Sequence, residues 1–98
     1  MTSKQRSYLM KLASGLDPIF HVGKASLTTE FEEAIKEVLE SRELIKIGVL
    51  KNCADEPKEI AQTLAQDTRS EVVQVIGKKI VLYKQADEPA KRKIKLPV

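Results

Sequence analysis

The chain has 98 residues, 42% of them hydrophobic and only 4% aromatic, with a formal net charge of +3. That is material for one compact core and excludes a second of comparable size. A single Cys excludes both an internal disulfide and a cysteine-based metal site and points to a reducing, cytoplasmic setting, while Tyr8, Phe20, Phe31 and Tyr83 are too few for a broad base-stacking platform.

Leu9, Leu12, Ala13 and Leu16 follow the i, i+3, i+4, i+7 spacing of one helix face and predict a helix over residues 2 to 14, capped by Thr2 or Ser3. Lys4, Ser7 and Lys11 form its opposite stripe, and Gly15 with Pro18 ends it. "PIFHV", residues 18 to 22, reads as a short strand with its proline confined to the first position. A second helix is expected from Thr29 to Ser41. Leu27, Phe31, Ala34, Ile35, Val38 and Leu39 share its apolar face, Glu33, Lys36, Glu37 and Glu40 share the other, and Thr29 and Glu32 stand in capping-box spacing.

"ELIKIGVL", residues 43 to 50, is apolar and β-branched enough for a covered strand, with Lys46 marking a face open to water. Asp55 and Pro57 announce a third helix that buries Ile60, Ala61, Leu64 and Ala65 and fades near Asp67. "EVVQVIG" and "KIVLYK", residues 71 to 77 and 79 to 84, predict a hairpin across Gly77-Lys78.

The expected fold class is therefore an α/β sandwich of order α-β-α-β-α-β-β. Two β-α-β passages imply parallel pairings and the hairpin an antiparallel one, giving a four-stranded mixed sheet with helices packed on it. Residues 1 to 85 form the expected domain, and 86 to 98 an extended basic tail whose Ile94, Leu96 and Pro97 suit partial docking. No apolar run approaches the ~20 residues of a membrane span, and "MTSKQRSYLM" lacks the apolar centre of a signal peptide.

Residues 30 to 43 hold six Glu against Lys36 and Arg42, a balance of −4 that leaves +7 on the rest of the chain. A basic body beside an acidic helix attracts polyanions, of which nucleic acid is the commonest in cytoplasm. At "VGKASLTT", residues 22 to 29, a glycine follows a strand, a lysine follows the glycine and a helix N-terminus follows both. That combination suits phosphate, because unsatisfied N–H groups and a full positive charge face the same ligand. The spacing is neither that of a nucleotide P-loop nor that of a dinucleotide fingerprint, so a nucleotide-dependent enzyme is disfavoured. His21 and Cys53 have no third group in the sequence to orient either one, and the carboxylates lie on a wet helix face, so no catalytic or metal site and no cofactor is expected.

With these elements in place, the chain resembles the bacterial YhbY-like proteins, which are single CRM (chloroplast RNA splicing and ribosome maturation) domains. The resemblance runs through "TSKQR", "LDPIFHVGK", "ESRELIK", "NC" at 52 and 53, "EVVQVIGK", "VLYK" and "IKLP". It implies a core similar to the C-terminal domain of bacterial translation initiation factor three. It also implies RNA as the partner, association with precursors of the large ribosomal subunit, and a GxxG loop that grips nucleic-acid backbone as KH loops do. Gly23 and Lys24 match the first two loop positions, and Ser26 departs from the last, where the family pattern has Gly. The expected RNA-binding residues are Gly23, Lys24, Ala25, Ser26 and Thr28, with charge from Lys46, Lys78, Lys4 and Lys11, on a monomer. The alternative is a protein-interaction adaptor on the ribosome using Glu33, Glu37 and Glu40.

Overall fold

The computed structural model describes residues 1–98. Helix α1 (Ser3–Ala13) begins at Thr2, whose hydroxyl accepts the Gln5 N–H while the Gln5 side chain accepts the Thr2 N–H, a capping box closed by Gln where Glu is commoner. Of its predicted apolar face, Leu9 and Ala13 are buried. Leu12, 41% exposed, and Leu16, 36% exposed and beyond the helix end, are not core residues as the periodicity had suggested.

Strand β1 (Phe20–Val22) is shorter than the sequence predicts. Pro18 has no N–H to give, and Ile19 joins the sheet through one bond to the Lys46 carbonyl. Helix α2 (Thr29–Arg42) is capped by Thr28, whose hydroxyl accepts the Phe31 N–H at 3.1 Å, so a single cap one residue earlier replaces the expected Thr29–Glu32 box. Thr28 is still extended, at φ −120 and ψ 161, which is the backbone a cap needs.

Strand β2 (Leu44–Val49), helix α3 (Pro57–Thr68) and the strands β3 (Glu71–Ile76) and β4 (Lys79–Tyr83) follow in the expected order. Gly77 turns the hairpin at φ +54, open space where a Cβ would sit, so glycine is favoured there by backbone conformation alone. The sheet order is β1-β2-β4-β3. β1 and β2 pair in parallel, but β3 does not pair with β2, because β4 lies between them and is antiparallel to both. The second β-α-β passage therefore yields two parallel-running strands that never touch, a correction to the expected second parallel pairing.

Side chains alternate across the pleat and give the sheet two unlike faces. On one, Ile45, Ile47, Val49, Ile80 and Leu82 meet Ile35 and Leu39 of α2 and Ile60, Ala61 and Leu64 of α3. On the other, Leu44, Val73, Val81 and Tyr83 meet Leu9 and Ala13 of α1, with Ile94 and Leu96 packed beside them. The first cluster has eleven buried members and the second six, so at roughly 1.5–3 kcal/mol per buried aliphatic side chain the α2/α3 face carries most of the hydrophobic stabilisation. A bulge between Val72 and Gln74 is closed by Arg6, whose Nη1 donates to the carbonyls of Val72 and Val73 at 2.7 and 2.8 Å.

Residues 86 to 98 lie along the body, with a short 3-10 turn at Pro89–Lys91. Their anchor is Glu43, the residue after α2, at φ 66 and 0% exposed. Its carboxylate accepts N–H bonds from Ala86 at 2.7 Å, Lys93 at 2.7 Å and Ile94 at 2.8 Å, and its own carbonyl accepts from Lys84. Burial pushes the Glu43 carboxyl up, but the three N–H donors together with the Arg92 charge outweigh it and hold the group below the ordinary glutamate range. Glu40 acts likewise at the surface, held low by accepting N–H bonds from Asp87 and Glu88.

Candidate nucleic-acid interface

Parallel pairing of β1 with β2 and the antiparallel place of β4 put three connections at one end of the sheet. They are the loop after β1, the loop after β2 and the β3–β4 turn. Hydrogen bonds tie them to one another: Leu50 N–H donates to the Val22 carbonyl at 2.8 Å and Val49 N–H to the Lys78 carbonyl at 2.7 Å. The N-termini of α2 and α3 open at the same end, since each helix follows one of these loops.

The first loop is a turn from Gly23 to Ser26, closed by Ser26 N–H donating to the Gly23 carbonyl at 2.9 Å. Gly23 is outside the left-handed region, and a Cβ there would make only ordinary contacts, 3.5 Å to Leu50 and 3.6 Å to Asn52. The protein's own packing therefore does not demand glycine at 23. Glycine there leaves the main chain bare at the surface of the turn.

Ser26 is the strained position, a non-glycine residue at φ 54. Its hydroxyl donates to the Asp55 carboxylate, Oδ2, at 2.5 Å and is thereby spent within the loops. Asp55, expected as a start signal for α3, thus spends its side chain on the first loop, and Glu56 stands at the α3 N-cap with no side-chain bond.

Lys24 and Ala25 are exposed at the tip of the turn, and Lys51, Lys78 and Lys79 are exposed on the neighbouring connections. None of these lysines, nor the half-buried Lys46, pairs with a carboxylate. Four uncompensated charges beside two helix N-termini make this end of the molecule electropositive, with Asp55, Glu56 and Glu59 as the local counterweight. Lys46 is on the α1 side of β2. Lys11 is exposed on α1, and Lys4 stands apart, near the opposite end of the sheet, its Nζ donating to the main-chain oxygen of Val98 at 3.4 Å. Lys4 therefore does not join the loops.

The sequence profile of the CRS1 / YhbY (CRM) domain matches residues 1–84. The chain belongs to the CRS1 / YhbY (CRM) domain family. Among its relatives is "Probable RNA-binding protein YqeI" of Bacillus subtilis, 43% identical over 97 residues and covering 99% of each chain. Another is a protein named "RNA-binding protein" of Haemophilus influenzae, 32% identical over 99% of this chain and 95% of its own. The solution structure of the hypothetical protein SAV1595 from Staphylococcus aureus is similar throughout, at a TM-score of 0.80, with 47% identity and 99% of each chain covered. These names point to an RNA-binding protein and not to an enzyme. No helix of this CRM domain is long and apolar enough to cross a membrane.

Other features of the CRM domain bear on the competing readings. The His21 ring lies over Gly48, whereas the Cys53 thiol donates to the Asp55 carbonyl at 3.8 Å, so the two are engaged with different partners. The acidic stripe of α2 is partly committed: Glu40 holds the tail and Glu33 pairs with Lys36 at 3.3 Å, leaving Glu37 as its unpaired member. Glu43 and the His21–Gly48 contact were not singled out from the sequence. The first depends on backbone donors more than forty residues away, while a glycine opposite a histidine becomes visible only once the strands are in register.

A Ser26→Gly variant separates strain from function in the loop. Glycine relieves a positive-φ cost of roughly 1 kcal/mol but loses a bond to a charged acceptor worth about 1.5 kcal/mol. Stability is therefore expected to change by less than about 1 kcal/mol in urea melts. Because φ at Ser26 already lies where glycine would sit, RNA affinity is expected to match the parent's; a clearly tighter complex would show that the tie to Asp55 holds the loop back from phosphate.

Proposed function

We propose that this CRM domain is a non-catalytic, monomeric RNA-binding protein of the cytoplasm that associates with precursors of the large ribosomal subunit and assists their assembly. The observation that carries the reading is the convergence of the Gly23–Ser26 turn with the unpaired Lys24, Lys51, Lys78 and Lys79 at the end of the sheet where α2 and α3 begin. Phosphates are held there by Lys24, Lys78 and the main chain of Gly23 and Ala25. Thr28 keeps the α2 N-terminus in place, and Lys46 and Lys11 extend the positive surface along the α1 side. Such contacts position a backbone without reading its bases, so selectivity comes from RNA shape. Binding resides in residues 1 to 85, and the basic segment 86 to 98 serves mainly to close the body. The ribosomal destination rests on the family resemblance alone, and the relatives' names support the RNA-binding part of the reading.

Crosslinking of the tagged protein in cells, with sequencing of the attached RNA, tests the proposal. Reads are expected to concentrate on large-subunit ribosomal RNA and to include its unprocessed ends. Reads spread over messenger RNA without ribosomal enrichment would overturn the ribosomal assignment, and the absence of crosslinked RNA would overturn RNA binding itself.

A further inference from the structure

The face of the sheet that α1 covers is covered only in part. Leu9 and Ala13 sit on Leu44, Val73, Val81 and Tyr83, toward the end away from the loops. At the loop end, the strand registers align four residues in one row on the same face: His21 opposite Gly48, Gly48 opposite Lys79, and Lys79 opposite Ile76. No helix closes over this row. His21 and Lys79 are exposed, and Ile76 is 59% exposed, the largest value for a large hydrophobic side chain within a helix or strand. Lys46 lies in the next row of the same face, and Leu12 and Leu16 leave apolar surface exposed near the end of α1.

Gly48 gives this row its shape. A Cβ there would come within 2.8 Å of His21 Cδ2 and 3.2 Å of Nε2, so the imidazole rests directly on the bare main chain of β2. The other rings do not compete for the role. Phe20 and Phe31 are packed edge to face at 5.6 Å, Tyr83 is buried, and Tyr8 lies on α1. The result is one seated, exposed ring two residues along the chain from Gly23, with Pro18 as its aliphatic neighbour at the same Gly48 position, Lys79 next beyond Gly48 in the row and Lys46 in the adjoining row.

We propose that this row is a seat for an unpaired base of single-stranded RNA, stacked on His21 while Lys79 and Lys46 neutralise the adjoining phosphates. Charge complementarity selects this occupant: the row carries positive charge and no carboxylate, and a base needs one π-face and an aliphatic edge more than it needs hydrogen-bond partners. The inference rests on the RNA-binding reading and extends it, since the loops hold backbone without regard to pairing whereas the seat requires a base out of a helix.

The test compares a fluorescein-labelled single-stranded RNA oligonucleotide of mixed sequence with its blunt duplex, by fluorescence anisotropy. His21→Ala is expected to weaken single-strand binding by roughly ten-fold, with duplex binding and the salt slope unchanged, because a stacking contact and no phosphate contact is lost. His21→Phe keeps a ring without a ring nitrogen and is expected to retain most of the parent affinity. Gly48→Ala unseats the ring and should resemble His21→Ala, with thermal melts showing that each variant is folded. Equal single-strand binding by His21→Ala and parent, or equal losses on both probes, overturns the seat while leaving the loops' role intact. A parent that binds neither probe overturns RNA binding altogether.

Discussion

Glu43→Ala is expected to destabilise the protein by about 3–5 kcal/mol, the effect of stripping a buried, fully bonded charge from its partners. The carboxylate is out of contact with solvent and accepts three main-chain N–H bonds from a segment more than forty residues downstream. Alanine leaves those donors facing a void, each at a cost of about 1–3 kcal/mol less whatever water recovers. Domains of this size have about 5–15 kcal/mol of stability in total, so the melting temperature should fall by roughly 15–30 °C. Glu43→Gln keeps the shape but sets an amide donor against one of the N–H groups and is expected to lose about half as much. The pH dependence has a definite sign. The folded-state carboxyl is depressed, so its stabilisation is complete above the unfolded carboxyl's range and is lost as pH falls through the lower folded value. Parent and Glu43→Gln melting curves should therefore approach each other below about pH 4. A Glu43→Ala protein that melts within a few degrees of the parent at neutral pH would show that the tail is not held by this carboxylate.

Removing Lys24 and Lys78 together is expected to have the largest effect on binding without an effect on folding, since both are exposed and neither is in an ion pair. A charge pair at about 4 Å in water is worth on the order of 1 kcal/mol, so Lys24→Ala with Lys78→Ala should weaken RNA binding roughly 10- to 30-fold at low salt. The dependence of log affinity on log salt should flatten by about two phosphate contacts. Lys4→Ala with Lys95→Ala removes the same charge away from the loops and serves as the control. If both pairs weaken binding alike, attraction is diffuse and the loops hold no site.

Much of the fold was legible because its signals are local. Apolar periodicity marked α2 and α3, Gly77 marked the hairpin, and the order of elements required a mixed four-stranded sheet. The misplaced details are the nonlocal ones. The α1 spacing admits Leu12 and Leu16 to the core, but the helix crosses a sheet face that it only half covers. The second β-α-β passage suggested adjacent strands because β4, which separates them, comes later in the chain. At the site, Gly23 and Lys24 were conspicuous through their position after a strand and before a helix. The partner of Ser26 was not, because Asp55 reaches it across 29 positions of sequence. Glu43 counted as one more charge in an acidic run, and nothing beside it in the sequence sets it apart from Glu40 or Glu37.

The central place of β4 also orders events during synthesis. Until Lys79 to Tyr83 have left the ribosome, β2 has only the three-residue β1 to pair with and β3 has no partner. Until Ile94 has followed, the Glu43 carboxylate lacks its donors. Helices α2 and α3 can form as the chain emerges, but the sheet that unites them waits for its last strand, a topology of long-range contacts that folds late and as a unit. A nascent chain of this protein therefore cannot assemble its loop end piecemeal: the Val49–Lys78 bond, which brings the three loops together, belongs to the final cooperative step.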